Sequence, residues 1–281
     1  IYKDKHGAIV RELSCNAYDS HVEAGCPEKP FELHLPTWLD KTFYIRDFGT
    51  GIPHESFEDI YTNVGKSTKE QSNTQIGAYG LGSKTPFTLA DTYVVENYKD
   101  NRKTTWACFK SEGQPQVSRV GDEITQEPNG VKVTISFSSD HSSTFQRAPV
   151  DPLQFFPVKP TLPGADVSWR NIEEFPKGVK YRYLEGLGRS YVVMGNVSYP
   201  FDSYEIGRGS SSLAAVTSRP IAIRAELGEV DIPPSRESLE LTEKTKAFIN
   251  SVADEIAKAY VADYKAEMKQ QQTLWDALVW Y

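Results

Sequence analysis

The first motif of the chain is Arg11-Glu12-Leu13-Ser14-Cys15-Asn16-Ala17-Tyr18-Asp19, residues 11–19. At about 3.6 residues per turn, Glu12, Asn16 and Asp19 share one face of a predicted helix, so two carboxylates and an amide lie in a row. Leu13 and its apolar neighbours would attach another side of this helix to a core. Taken alone, the polar face is compatible with either a solvated surface or a functional site, and two further motifs favour the site.

The second motif is a predicted strand over residues 42–47 that runs into Phe48-Gly49-Thr50-Gly51-Ile52. Alternation places the last strand residue, Asp47, on the inward side, where an unpaired carboxylate would be costly to bury. Gly49 and Gly51 would allow a sharp turn and the close approach of a flat ligand. Two donors therefore remain open for Asp47, namely the exocyclic amine of a purine or the backbone of its own turn.

The third motif is the glycine-rich run Gly77-Ala78-Tyr79-Gly80-Leu81-Gly82-Ser83-Lys84, which leads into a predicted helix. Its free backbone N–H groups and the positive end of the helix would form an anion site. The order of its glycines is the reverse of the dinucleotide fingerprint, which excludes a Rossmann site. Gly65-Lys66-Ser67-Thr68 is similar to the end of a Walker A loop, but Ile60 stands where that loop needs a glycine, so a P-loop is excluded too.

The order and spacing of the three motifs resemble those of the GHKL ATPases, the superfamily of gyrase, the ninety-kilodalton heat-shock chaperone, histidine kinases and MutL. Within that superfamily the chain is most similar to the rIIA lysis-inhibition proteins of T-even phages and their phage relatives. The resemblance spans nearly the whole chain. It is carried by residues 11–21, Arg46-Asp47-Phe48-Gly49, residues 80–87 and Pro234-Ser235-Arg236-Glu237.

The resemblance implies an α+β fold, a GHKL (Bergerat) ATP-binding α/β sandwich with a mixed, mostly antiparallel sheet, and the ligands ATP and Mg2+. The adenine amine would lie on Asp47 and the metal on the side-chain oxygen of Asn16. Glu12 would orient and deprotonate the attacking water, and Arg11 would hold or tune that carboxylate. A lid over residues 62–76 would offer Lys66, or alternatively Lys69, to the phosphates. The nucleotide-binding residues implied besides Asn16 and Asp47 are Asp19, Gly49, Gly51, Ile52, Lys66, Gly77, Gly80, Leu81, Gly82, Ser83 and Lys84.

One adenine contact departs from the pattern of the superfamily, which often has Gly-Thr at the start of the last strand of the sheet. Here Gly130 is followed by Val131, and Thr134 has the opposite facing. We therefore expect this contact to pass through water or the backbone.

The loop Asp231-Ile232-Pro233-Pro234-Ser235-Arg236-Glu237 carries the candidate residue outside the first 90 positions. It is similar to the catalytic loop in the middle domain of the heat-shock chaperone, and this similarity implies that Arg236 meets the terminal phosphate. A guanidinium suits that role because its planar fork bonds two phosphate oxygens and keeps its charge. The alternative is an ordinary surface salt bridge to Glu237 or Glu240.

Prolines between Pro149 and Pro163 predict a domain boundary near residue 160. We expect an ATP-binding domain over residues 1–160, whose N-terminal segment is missing, and a transducer-like α/β middle domain over residues 161–281 with the Arg236 loop and a long C-terminal helix capped by Thr242. The apolar stripe predicted for that helix consists of Ile249, Val252, Ile256 and Tyr260. The predicted strands are 31–35, 42–47, 91–99, 103–110, 115–120 and 130–137 in the first domain and 166–171, 178–184, 190–199 and 219–226 in the second.

Composition narrows the function classes. The net charge of −7 argues against a general nucleic-acid-binding surface, and no apolar run is long enough to span a bilayer. The three cysteines, Cys15, Cys26 and Cys108, lack metal-ligand spacing and fit a reducing cytoplasm. We interpret His21 and His54 as local hydrogen-bonding residues.

The predicted function is Mg2+-dependent ATP binding and slow hydrolysis that drives lid closure and a domain or dimer rearrangement. The alternative is a nucleotide-sensing scaffold that binds ATP with little turnover. A histidine kinase is disfavoured because no phosphoacceptor helix pair precedes the motifs, and a DNA-repair clamp is disfavoured by the acidic charge. The rIIA resemblance further implies a role in lysis timing and resistance to host exclusion, a homodimer or ATP-dependent dimer, a phage or host partner of the rIIB kind, and a place in the cytoplasm of the infected host, peripheral to the inner membrane.

Overall fold

The computed structural model describes residues 2–62, 82–170, 172, 174–206, 211–233 and 235–269. Its contacts divide the chain into two units, residues 1–174 with 195–198, and residues 175–194 with 199–281. Both units combine helices with a sheet, so the α+β prediction agrees with the structure.

The first unit contains a six-stranded antiparallel sheet in the order β1-β2-β6-β3-β4-β5. Two 3-10 turns, His54–Ser56 and Gly82–Thr88, accompany its helices. The helices are α1 (Lys5–Glu23), α2 (Phe57–Thr62), α3 (Ser142–Phe145) and α4 (Val150–Leu153). The strands are β1 (Glu32–His34), β2 (Thr42–Arg46), β3 (Thr92–Lys99), β4 (Arg102–Ser111), β5 (Gln114–Ile124) and β6 (Gly130–Ser136). These strands confirm the six that the sequence predicted for the first domain.

Helix α1 is buried on almost every side. Asp4 caps its first turn by accepting a hydrogen bond from the Gly7 N–H at 2.9 Å, and the apolar side includes Ile9 and Leu13. The side with Glu12 and Asp19 is buried as well. A solvated polar face, one of the two interpretations of the motif, is therefore wrong.

The central strands follow the predicted alternation. On β2, Phe43 and Ile45 are buried and pair with Ile135 and Val133 of β6. Asp47, directly after the strand, continues this side and is only 5% exposed. The core of the sheet thus carries a carboxylate at its end.

The proline-rich passage stays attached to the first unit beyond the boundary predicted near residue 160. Thr161 exchanges backbone hydrogen bonds with the segment at β1, donating to the Phe31 carbonyl and accepting from the Leu33 N–H, each at 2.9 Å. Arg170 forms a salt bridge of 2.7 Å with Asp151. Because of these long-range bonds, the boundary between the two units lies after residue 174. The predicted strand at 166–171 is wrong over residues 166–170, which form no strand.

The second unit has a four-stranded sheet in the order β7-β10-β8-β9, in which β10 runs parallel to β8 and antiparallel to β7. The predicted strand at 190–199 is two strands, separated by a turn at Gly195 with φ +61°. The strands are β7 (Tyr181–Tyr183), β8 (Ser190–Met194), β9 (Val197–Phe201) and β10 (Ile221–Ala225). The helices are α5 (Ser203–Ile206), α6 (Ser211–Val216) and α7 (Glu243–Lys269).

The long helix begins as predicted, with Thr242 accepting from the Thr245 N–H at 3.3 Å. Ile249, Val252 and Ile256 are buried, but Tyr260 is 74% exposed, so its place in the core stripe was wrong. The reason is that α7 continues past the body of the unit, since residues 258–263 are all exposed. None of the helices in the described ranges is long and apolar enough to cross a membrane.

We predict that Gly130→Ala destabilises the first unit by about 3 kcal/mol or more. Gly130 has φ +136°, and a Cβ there would collide with the carbonyl group of Asp47. The matched control is Gly113→Ala in the β4–β5 hairpin, where φ is +78° but nothing lies within 4 Å of the added Cβ. The control should cost only about 1 kcal/mol in urea unfolding. Equal losses in the two variants would contradict the collision.

Candidate functional site

Glu12 and Arg11 form a buried ion pair on α1. The Arg11 Nε lies 3.3 Å from the Glu12 Oε1, and the two residues are 8% and 6% exposed. Charges removed from water need partners, and each of these charges compensates the other. The contact that the sequence predicted between Arg11 and this carboxylate is therefore present.

The 3-10 turn that begins at Gly82 lies directly against the polar side of α1. A Cβ built on Gly82 would stand 3.3 Å from the Glu12 Oε2 and 3.3 Å from the Asn16 Nδ2. The absence of a side chain at Gly82 lets the backbone come this close. The structure thus brings the end of the glycine-rich motif to the two α1 residues with which it was predicted to converge.

Asn16 differs from its neighbours on α1 because its side chain is only half-buried. It makes no hydrogen bond within the described ranges of the chain. A half-buried amide of this kind can give its oxygen to a cation or its NH2 group to an anion.

Asp47 is held by two backbone donors. Its Oδ1 accepts from the Gly49 N–H at 3.0 Å and its Oδ2 from the Val131 N–H at 3.1 Å. Burial raises the pKa of this carboxyl, and these hydrogen bonds, with the positive charge of Arg46, oppose the rise. The alternative in which Asp47 caps its own turn is thus realised. Each carboxylate oxygen keeps a second lone pair, so capping leaves room for a further donor.

Val131 replaces the expected family threonine with a backbone contact. Its N–H group donates to Asp47, whereas Thr134 is half-buried and lies on the opposite side of β6 from the core residue Val133. This backbone bond is made to Asp47, so the predicted adenine contact through water or the backbone stays a prediction.

The turn after Asp47 packs against two elements of the unit. A Cβ on Gly49 would collide with Ser20 of α1, and the Thr50 N–H donates to the Ser20 Oγ at 3.2 Å. Gly51 has φ +67°, and a Cβ there would collide with the Tyr98 carbonyl oxygen. Both glycines are therefore required, as the sequence predicted.

Histidines support this turn from both sides. His21, completely buried, donates from Nδ1 to the Lys29 carbonyl at 2.8 Å and accepts the Phe48 N–H on Nε2 at 2.7 Å. This pair of bonds requires the neutral ring with its proton on Nδ1. His54 lies near the Lys99 carbonyl and the Thr104 hydroxyl at 3.4 and 3.3 Å. Both histidines are local hydrogen-bonding residues, which confirms that interpretation.

Ser83 and Lys84 follow Gly82 into the unit. The Lys84 side chain donates to the Ile60 carbonyl at 3.1 Å and to the Ser83 Oγ at 3.3 Å, and burial lowers the pKa of its ammonium group. The Ser83 carbonyl accepts from the Tyr93 hydroxyl at 2.8 Å. Lys84 therefore contacts the end of α2, and its predicted phosphate contact stays a prediction.

The other predicted residues have different outcomes. Asp19 is completely buried, so it is not on an open surface of α1. Arg236 belongs to the second unit, where it has φ +55° and is 4% exposed, so it is not the exposed residue that a surface salt bridge requires. Lys66, Lys69, Gly77, Gly80 and Leu81 lie outside the described residues.

Asn97 on β3 also contacts the turn, and the sequence analysis did not identify it. Its side chain bonds both backbone groups of Ile52. A signal was available, because Tyr93, Val95 and Asn97 occupy the same side of a predicted strand and an amide is unusual among buried apolar positions.

The sequence of the chain is similar to that of a known chaperone. No family model matches the chain. The chain is similar to the chaperone protein HtpG of Wolbachia pipientis wMel, with 25% identity over 163 residues that cover 48% of this chain and 25% of that protein. The chain thus spans about a quarter of the length of this curated relative.

We predict that the Arg11–Glu12 pair shows strong energetic coupling. Arg11→Met and Glu12→Gln should each destabilise the protein by about 1 to 3 kcal/mol, because each variant leaves a buried charge with one partner fewer. The double variant should lose at least about 1 kcal/mol less than the sum of the two. Urea unfolding of the four proteins measures the cycle.

The exposed pair Arg102–Asp122, whose side chains are 44% and 37% accessible, gives a matched control. Its coupling should stay below about 1 kcal/mol. Coupling of equal size in the two cycles would show that burial of Arg11 and Glu12 adds nothing.

Proposed function

We propose that the first unit binds ATP with Mg2+ and hydrolyses it slowly. The observation that carries the proposal is the position of Gly82, which faces the carboxylate of Glu12 and the amide of Asn16 at once. In this arrangement a phosphate near the Gly82 backbone would have a cation ligand and a base beside it.

Asp47 and its turn are proposed to bind the adenine. The carboxylate is fixed by the Gly49 and Val131 N–H groups and retains lone pairs for the exocyclic amine. The two glycines let the turn pack closely on Ser20 of α1 and on the Tyr98 carbonyl of β3, which fixes the backbone beside Asp47. A buried acceptor selects a base that carries a donor, because a base without one would leave the acceptor unpaired.

Asn16 is proposed as the protein ligand of Mg2+. The described residues contain no group of three or more His, Cys, Asp or Glu side chains able to hold a metal. This fits a magnesium ion held mainly by phosphates and water with one protein oxygen, and the Asn16 amide is an uncharged oxygen donor. The bound ion would neutralise the phosphate charge.

Glu12 is proposed to take a proton from the attacking water, and Arg11 is proposed to position the carboxylate through the 3.3 Å contact. The role of Arg236 at the terminal phosphate stays a prediction from the sequence. The ion pair with Arg11 holds this carboxylate in one position on α1.

That ion pair also favours a second candidate function. A buried carboxylate whose Oε1 already bonds Arg11 can serve as half of a structural ion pair, which is suitable for a scaffold that senses ATP without turning it over. Single-turnover hydrolysis distinguishes the two, since a scaffold returns ATP unchanged.

The similarity to HtpG, a chaperone of the GHKL ATPases, supports ATP binding at the level of that superfamily. The finer proposals rest on the motif resemblance alone. They are an rIIA-like phage protein in the cytoplasm of an infected bacterium, ATP-dependent dimerisation coupled to lid closure, a partner protein of the rIIB kind, and peripheral membrane association.

We predict that Glu12→Ala and Asp47→Asn separate catalysis from binding. Glu12→Ala should lower single-turnover hydrolysis about 10²- to 10⁴-fold while ATP still binds, because it removes the base and leaves the Asp47 turn in place. Asp47→Asn should abolish binding, because an amide NH2 would face the donors that the carboxylate now accepts from. Calorimetry with ATP and Mg2+ measures the binding.

Glu23→Ala, at an exposed position of the same helix, is the control and should leave both quantities unchanged. If the wild-type protein takes up no ATP in this experiment, the proposed function is refuted. Equal loss of binding in the two site variants would refute the division of roles.

We predict that adenosine affinity falls as the pH is lowered. Burial raises the pKa of Asp47, so this carboxyl takes up a proton at a higher pH than an ordinary aspartate, and a protonated oxygen repels the adenine amine. Below the raised pKa the affinity should fall by up to about tenfold per pH unit. Titrations from about pH 8 to about pH 5 measure the decline.

Inosine, which lacks the amine, should bind weakly across the same pH range.

Lowering the pH has the opposite effect on folding stability from its effect on adenosine affinity. A raised pKa in the folded state means that protonation of Asp47 favours folding, so loss of folded protein would not explain the decline. A pH-independent adenosine affinity would refute the contact with Asp47.

A further inference from the structure

We infer that Asn97 is a positioning residue for the adenine side of this site. Asn97 lies on β3, about 45 residues after the turn that it would position, and is completely buried. The inference rests on the proposed function, because a positioning role needs a bound base. It adds a residue that none of the sequence motifs contains.

Asn97 holds Ile52 by both of its backbone groups. The Ile52 N–H donates to the Asn97 Oδ1 at 2.9 Å, and the Asn97 Nδ2 donates to the Ile52 carbonyl at 2.8 Å. The side-chain amide therefore pairs with Ile52 as a backbone peptide would pair in a sheet. Two such bonds fix both the position and the orientation of the residue that ends the glycine turn.

The second hydrogen of the Asn97 amide is also used. The Asn97 Nδ2 lies 3.4 Å from the His54 Nδ1, and the His54 Nε2 lies 3.4 Å from the Lys99 carbonyl oxygen. The Thr104 hydroxyl stands 3.3 Å from the same Nδ1 and accepts from the Trp106 indole N–H at 3.0 Å. A buried polar group with this many partners is rigid, and its replacement by an apolar residue would leave the Ile52 groups unpaired.

The neighbours of Asn97 on β3 hold the same turn. The Lys99 ammonium donates to the Thr50 carbonyl at 3.1 Å, and Gly51 packs on the Tyr98 carbonyl. Three consecutive residues of β3 thus contact the turn, while Asp47 fixes its beginning through the Gly49 N–H. A base between Asp47 and this turn would meet a surface that is already in place, which lowers the cost of ordering on binding.

A purely structural role for Asn97 makes a different prediction. If Asn97 only stabilised the unit, its loss would lower the apparent affinity for every ligand in proportion to the unfolded fraction. If Asn97 positions the turn, its loss lowers the affinity for the base and leaves the affinity for the phosphates unchanged. The pair of ligands adenosine and inorganic tripolyphosphate separates these effects.

The test is Asn97→Ala, with Asn250→Ala as the matched control. Asn250 is a part-buried amide in the second unit that donates to the Lys246 carbonyl at 2.9 Å. In the ligand-free protein, hydrogen exchange of the Ile52 amide should become at least about tenfold faster in Asn97→Ala, whereas the Gly49 amide should keep its protection. The dissociation constants of adenosine and ATP should rise by the same factor, about 10 to 100, and that of tripolyphosphate should not change. Asn250→Ala should change none of these values.

Asn97→Thr provides a second variant if Asn97→Ala fails to fold, since threonine suits a strand and its hydroxyl can make one of the two bonds. It should give the same pattern with a smaller factor. Wild-type affinity for adenosine combined with a freely exchanging Ile52 amide would overturn the positioning role and leave the proposed function intact. Parallel losses for adenosine and tripolyphosphate would also overturn it, in favour of a structural role. A wild-type protein that binds no adenosine would overturn the proposed function itself, and the positioning role with it.

Discussion

The structure of the first unit depends on one constraint, which is that the buried carboxylate of Asp47 must accept hydrogen bonds. Asp47 ends a core strand, and the backbone around it is arranged so that the N–H groups of Gly49 and Val131 reach its two oxygens. This requirement joins the turn after β2 to the start of β6. It also explains why Gly130 is pressed on the Asp47 carbonyl, since only a residue without a Cβ allows the two segments to approach so closely.

Local periodicity was sufficient to predict most of the first unit. The helix around Glu12, the six strands and the inward side of Asp47 all follow from the spacing of apolar residues over short windows. The same approach failed where long-range contacts decide. Thr161 pairs with the segment around β1, which moves the end of the unit, and Tyr260 continues an apolar spacing after the helix has left its core.

The candidate site shows the same division. The contact between Arg11 and Glu12 was implied by the resemblance, since successive residues of a helix do not face each other and their adjacency alone predicts no contact. The convergence of Gly82 with that helix could be predicted only through the order of motifs in a known superfamily. Asn97 could not be assigned to the turn, because nothing in the residues around it reveals that its partner is Ile52. Lys84 was expected at phosphate and contacts the Ile60 carbonyl, which depends on where α2 ends.

The two donors of Asp47 become available at different times during synthesis of the chain. Gly49 is made immediately after the carboxylate, but the hydrogen bond from Val131 spans 84 positions of the chain. A ribosome adds residues from the N-terminus onward, so the nascent chain contains all three motifs well before the strand that supplies this second donor. The second donor of Asp47 therefore becomes available only after β6 has been synthesised and has joined the centre of the sheet between β2 and β3.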